Sequence, residues 1–159
     1  MKLIMFVCFV SQVTFAAEHG VFMVVKGKVK VDSGKSIVEV KVGSKVQVGD
    51  TVITEKDSRA KIVMSDRNII NVSSGTKFKI EKYSNSKNDK NVNLNLIEGK
   101  IRNNVEQNYD NKNSKFEVKT ATAVAGVRGT QFITSFDPKT RATEVVTLKG
   151  QGSFQKLGG

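Results

Sequence analysis

Few residues of this 159-residue chain have the chemistry for catalysis. His19 is its single histidine and Cys8 its single cysteine, and both precede every strand pattern. A serine or cysteine nucleophile needs a neighbouring base, most often histidine. A histidine three residues past the expected leader, at a terminus that is usually mobile, is poorly placed for that work. The same count removes a His/Cys metal site. Asp50, Asp57 and Asp66 are types that serve acid–base work or bind calcium. Each sits in a turn sequence, where aspartate caps backbone amides. No catalytic residue, no metal ligand and no cofactor is therefore expected, and the chain is not expected to be an enzyme.

The most informative stretch is Thr120 to Phe132, which is small, apolar, glycine-punctuated and carries one cation, Arg128. Gly126 and Gly129, three apart, indicate a backbone that turns sharply or approaches another strand closely. They are not a nucleotide fingerprint, because no helix follows them. Two readings of Arg128 stand. It staples a turn to a carboxylate or to corner carbonyls that need donors, or it presents a fork to an anionic partner. The staple is preferred. Phe116, Phe132, Phe136 and Phe154 likewise admit two readings, core residues or an aromatic surface for sugars. Core is preferred for Phe116 and Phe132, and the question stays open for Phe136 and Phe154.

The elements that must position these residues are strands. Val29/Val31, Val38/Val40/Val42, Ala60/Ile62/Met64, Phe78/Ile80 and Val92/Leu94/Leu96 alternate with polar residues, so each predicts a short strand with one buried face. No window after residue 16 sustains a helical stripe. Asp32-Ser33-Gly34, Gly43-Ser44, Gly49-Asp50, Ser65 to Asn68 and Ser73-Ser74-Gly75 supply turns. Glycines recur within strands at Gly27, Gly99 and Gly150, where they predict bulges or corners. Tyr83 to Asn91 and Asn103 to Lys115 are rich in Ser, Asn and Lys and are expected to be solvated loops with few anchoring hydrophobes.

Residues 1–16 have the form of a signal peptide. Lys2 precedes the apolar run Leu3 to Val10, and Thr14-Phe15-Ala16 offers small residues for cleavage. The apolar run is too short to span a bilayer. Residues 17–159 are enough for one domain, and without Cys8 that domain has no thiol. The localisation expected is periplasmic or secreted. The formal charge is +11, from 26 basic and 15 acidic side chains. Export makes nucleic acid an unsuitable target for that charge. Lipid headgroups, acidic glycans or an acidic protein face suit it better. The basic residues are spread along the chain, which also fits lysines that keep a β-rich protein soluble and guard its edges.

From about Val24 to Phe154 the motifs form an ordered set. After the Gly27 strand come Val48-Gly49-Asp50-Thr51-Val52-Ile53-Thr54 and Asp57-Ser58-Arg59-Ala60-Lys61-Ile62. Ile69 to Val72 and Thr76 to Ile80 follow, then Leu96-Ile97-Glu98-Gly99-Lys100-Ile101. Thr120 precedes the closing Val127-Arg128-Gly129-Thr130. This succession resembles the FecR-like domain family. The chain departs from the family pattern in having Ala121 where proline is usual after the threonine, and Arg67 where glycine commonly follows the aspartate. It also ends soon after Gly150, where many relatives continue; an incomplete C-terminus would leave an exposed edge strand.

The resemblance implies an all-β single domain, a β-solenoid-like or sandwich-like stack of short strands, with Gly99, Thr120, Gly126, Val127, Arg128, Gly129 and Thr130 as motif residues of structural type. It implies an interaction module of the cell envelope, stand-alone, without an anti-sigma or transmembrane segment. The partner expected is an envelope protein or an anionic envelope component, with envelope signalling as the role implied and glycan or peptidoglycan binding as the alternative. The oligomeric state is left open.

Overall fold

The computed structural model describes residues 20–85, 90–106, 109 and 114–157, with the backbone alone at 127–130. The expected signal peptide lies outside these residues. Twelve strands follow in order: β1 (Gly20–Lys26), β2 (Val29–Asp32), β3 (Ile37–Glu39), β4 (Lys45–Val46), β5 (Thr51–Thr54) and β6 (Arg59–Met64). After them come β7 (Ile69–Val72), β8 (Thr76–Asn85), β9 (Lys90–Asn104), β10 (Lys115–Lys119), β11 (Ala123–Asp137) and β12 (Ala142–Lys156). The protein is all-β, as the alternation predicts.

The strands join in the order β3-β2-β5-β8-β9-β7-β6-β1-β4. The two ends of that path are consecutive in sequence. Val40 donates its N–H to Val29 O, while Gly43 N–H and Ser44 O bond Phe22. Residues 37–46 thus run from the β2 edge to the β1 edge and close the path into a small barrel. Pairing is antiparallel throughout except between β9 and β10. Parallel coils would define a solenoid, so the finer expectation of a solenoid gives way to a closed barrel, with β10, β11 and β12 added beside β9.

β9 makes this arrangement possible. Its first half lies between β8 and β10, and its second half between β7 and β11. The change of neighbours occurs at Gly99, whose φ is +90°. A Cβ there would stand 2.6 Å from Gly75 O and from Thr76 Cα. Only glycine tolerates both the dihedral and the approach.

The barrel interior holds the alternating set. Ile62, Ile70, Phe78, Ile80, Leu94, Leu96 and Ile101 are fully buried. Phe116 packs edge-on to Tyr109 and to Phe132, with ring centroids 5.8 and 5.9 Å apart. Such pairs add about 0.5–1.5 kcal/mol each beyond the area they bury.

Three expectations need correction. Val38 and Val42 do not share a buried face with Val40, because β3 ends at Glu39 and the closing segment crosses between edges; both are exposed and only Val40 is buried. The stretch Tyr83 to Asn91 is not a loop at its ends, since β8 and β9 pair out to Asn85↔Lys90. Likewise β9 continues to Asn104, and Val105, Tyr109 and Ser114 are buried, so the second long connection is anchored to the core.

Buried polar groups explain both anchors. Tyr83 Oη donates to Asp66 Oδ1 at 2.6 Å. Asn68 Nδ2 donates to Asp66 Oδ2 at 2.9 Å and to Tyr109 Oη at 3.0 Å, and Asn68 Oδ1 accepts from Glu106 N–H at 2.9 Å. The β6–β7 turn thereby gathers the end of β8 and the chain after β9.

Candidate basic groove on the barrel wall

The clearest concave site lies on the outer face of β1, β6, β7 and β9. It has a volume of about 720 Å³ and is lined by Lys26, Arg59, Lys61, Lys100 and Arg102, with Asn71, Ser73 and Ser74 among them. Asp57 is the one acid in the lining among the described residues.

Strand periodicity places these side chains. Successive residues of a strand face opposite sides, so Arg59 and Lys61 point outward while Ala60 and Ile62 are buried. Lys100 and Arg102 flank the buried Ile101 in the same way. Register then aligns them. Lys61 is opposite Asn71 on β7, and Asn71 is opposite Arg102 on β9. Lys26 on β1 is opposite Arg59. Two cations thus stand on β6 and two on β9, with Asn71 of β7 and Ser73 just after that strand between them. Directly opposed like charges such as Lys26 and Arg59 disfavour the sheet, so this wall carries charge at some cost to stability.

Buried threonines hold the groove floor. Thr76 Oγ1 accepts from Lys100 N–H at 3.0 Å and donates to Lys100 O at 3.2 Å. Thr76 N–H in turn donates to Thr54 Oγ1 at 3.0 Å, and Thr54 Oγ1 donates to Ser73 O at 2.6 Å. Ser74 Oγ accepts from Asp57 N–H at 2.8 Å. At the rim, Arg102 Nη2 donates to Gln131 Oε1 at 3.1 Å. The guanidinium keeps further donors for a ligand.

The motif residues lie elsewhere. Thr120 turns β10 into β11, accepting from Ala123 N–H at 3.0 Å through Oγ1, and its hydroxyl lies 2.7 Å from that of Thr143. Gly126 faces β12, where a Cβ would stand 2.8 Å from Ser153 Oγ. Gly99 immediately precedes Lys100 and is, among the described motif residues, the one beside the groove. Val127, Arg128, Gly129 and Thr130 continue β11, and their side chains lie outside the described residues. Of the aromatics, Phe116, Phe132 and Phe136 are buried, while Phe154 is 55% exposed.

Asp50 Oδ2 accepts from Gln47 N–H at 2.9 Å, in keeping with a turn role, and Asp66 belongs to the tyrosine network. No group of three or more metal-ligating side chains occurs among the described residues.

Sequence reasoning passed over the groove. Its one local signal was the recurrence of cations two apart, Arg59/Lys61 and Lys100/Arg102, each flanking a buried residue.

The chain matches the family described as FecR protein over residues 50–151. This protein belongs to the FecR family. The matched range runs from the turn before β5 into β12 and contains every groove cation except Lys26. FecR is a regulatory and signalling family. No curated protein and no solved structure matches the chain. Among the described residues, no helix is long and apolar enough to cross a membrane.

Proposed function

We propose that this FecR protein is an exported, non-enzymatic module that binds an anionic partner of the cell envelope through the groove on β6, β7 and β9, in the service of envelope signalling. The observation that carries the reading is the charge of the lining: five cations and one acid, around a floor where Asn71, Ser73 and Ser74 sit beside the apolar Val24 and Ile133. Lysines that only solubilise a protein are spread over its faces, and these five meet on one.

Magnitudes indicate what kind of binding to expect. An anionic group about 5 Å from a cation gains roughly 0.8 kcal/mol at the dielectric of water, and more at the effective value near 20 found close to protein surfaces. Several such contacts give a useful affinity that salt weakens, since the Debye length is about 8 Å at physiological ionic strength. Reversible, salt-sensitive engagement suits a sensor module.

The glycan-platform alternative has less support. It rests on basic loops and exposed aromatics, and three of the four phenylalanines considered for it are buried. The discriminating test is retention of the purified protein by envelope extract and by isolated sacculi across a salt series. Retention lost in the Arg59→Glu/Arg102→Glu variant supports the groove. Retention by sacculi that survives both high salt and that variant favours the glycan reading, and no retention on either material refutes both.

A further inference from the structure

We infer that the groove seats a phosphoryl group over Asn71 and Ser73, with Arg59, Lys61, Lys100 and Arg102 closing on it from two sides. This rests on the groove reading above and narrows its ligand class.

The geometry follows from register. β7 lies between β6 and β9, with Lys61, Asn71 and Arg102 in one row. The next row continues the same pairing, and Ser73 N–H donates to Lys100 O at 3.1 Å within it. Neighbouring strands are about 4.8 Å apart and alternate residues of a strand about 7 Å apart. The four cations therefore stand at the corners of a rectangle of roughly 10 by 7 Å, whose centre lies over β7. Lysine and arginine side chains are long enough to reach that centre. Asparagine and serine are short, so the centre remains open, and it falls within the groove volume.

The chemistry of the donors selects the ligand. Two guanidiniums on opposite sides offer planar sets of donors, Arg102 having already given one Nη2 donor to Gln131 Oε1 on β11, and two ammonium groups add point charges. Asn71 and Ser73 supply neutral donors from below. A carboxylate has two oxygens and one charge, and cannot engage this many donors from both walls. A phosphoryl group has up to three free oxygens and nearly two charges. Asp57 is placed at the rim beside Ser74, to which its backbone N–H is bonded, and lies outside the rectangle of cations. The bound phosphoryl group belongs either to a lipid headgroup or to a soluble or polymer-borne phosphate.

The test uses the full chain at low ionic strength and mildly alkaline pH with tripolyphosphate and butanetetracarboxylate as probes of similar charge but different acid chemistry. Calorimetric titration is expected to show tripolyphosphate binding at least tenfold more tightly. Arg59→Gln and Arg102→Gln are each expected to weaken it by on the order of tenfold. Lys79→Gln on β8 serves as a cation control and is expected to leave it unchanged. These side chains are exposed, and Arg59→Gln relieves its repulsion with Lys26, so melting temperatures should not fall, which separates lost binding from lost folding. Sedimentation with vesicles containing phosphatidic acid, whose monoester phosphate has three free oxygens, displaced by tripolyphosphate, assigns the group to a lipid. Tripolyphosphate binding without sedimentation assigns it to a non-lipid phosphate. Equal affinity for butanetetracarboxylate overturns the phosphoryl inference and leaves an anion groove standing. Binding unaffected by both arginine variants overturns the inference and the groove reading together.

Discussion

The hydroxyl of Thr76 brackets the backbone of Lys100, accepting from its N–H at 3.0 Å and donating to its carbonyl at 3.2 Å. Thr76 is 1% exposed, so water cannot replace this contact. It fixes the direction in which β9 leaves the Gly99 bend, and with it the outward course of Lys100 and Arg102. Thr76→Val keeps the shape and removes the hydroxyl, leaving the Lys100 N–H with no partner from this position. The expected loss is about 1–3 kcal/mol in urea unfolding, with weaker binding of anionic probes at the groove.

Gly99→Ala should be more damaging. The new methyl meets backbone of Gly75 and Thr76 and demands a positive φ from alanine. A loss of roughly 2 kcal/mol or more is expected, because neither cost is relieved by a side-chain rotation. Chemical denaturation against Gly27→Ala provides a comparison. There the nearest atom is the Ser58 hydroxyl, though Ser58 Cβ and Cα also crowd the site.

Arg67→Gly should stabilise the protein. Arg67 adopts φ +68° in the β6–β7 turn, a conformation that glycine takes without strain. Relief of left-handed strain outweighs the added freedom of glycine in the unfolded chain, for a net gain of up to about 1 kcal/mol. Thermal melting should shift upward by a few degrees.

Alkaline pH should destabilise the protein through the tyrosines bound to Asp66 and Asn68. Burial, and then the nearby Asp66 charge, push the phenols of Tyr83 and Tyr109 well above their ordinary range. The neutral phenol is therefore the folded form, while in the unfolded chain it ionises near pH 10. The folded state holds more protons there, so stability is full below about pH 10 and falls as pH rises beyond it. Melting temperature against pH should show this alkaline decline, and Tyr83→Phe should flatten it while costing stability at neutral pH by removing one of the hydrogen bonds that Asp66 Oδ1 accepts, the bond from Asn68 N–H remaining.

Much of the interior was legible in residue order. Ile62, Met64, Phe78, Ile80, Leu94 and Leu96 alternate with polar neighbours, and each is buried. The glycines at 27, 99 and 150 were read as corners, and all three have positive φ. The pattern misled at Val38 and Val42. There the chain leaves the β2 edge to close the barrel, and alternation no longer reports one face. Composition misled at Tyr83 and Tyr109, which lie in Asn- and Lys-rich stretches but are drawn inward by Asp66 and Asn68.

Residue order by itself determined the all-β class, the inward face of most strands, the shortage of catalytic side chains and, through an ordered set of motifs, membership of the FecR family. Those are local properties: a period of two and a motif are read within a few residues. The tertiary structure alone decided that Lys26, Arg59, Lys61, Lys100 and Arg102 share one groove. Strand adjacency is a long-range choice, made here by β7 pairing with both β6 and β9. It turns cations scattered over 77 residues of chain, from 26 to 102 counting both ends, into neighbours.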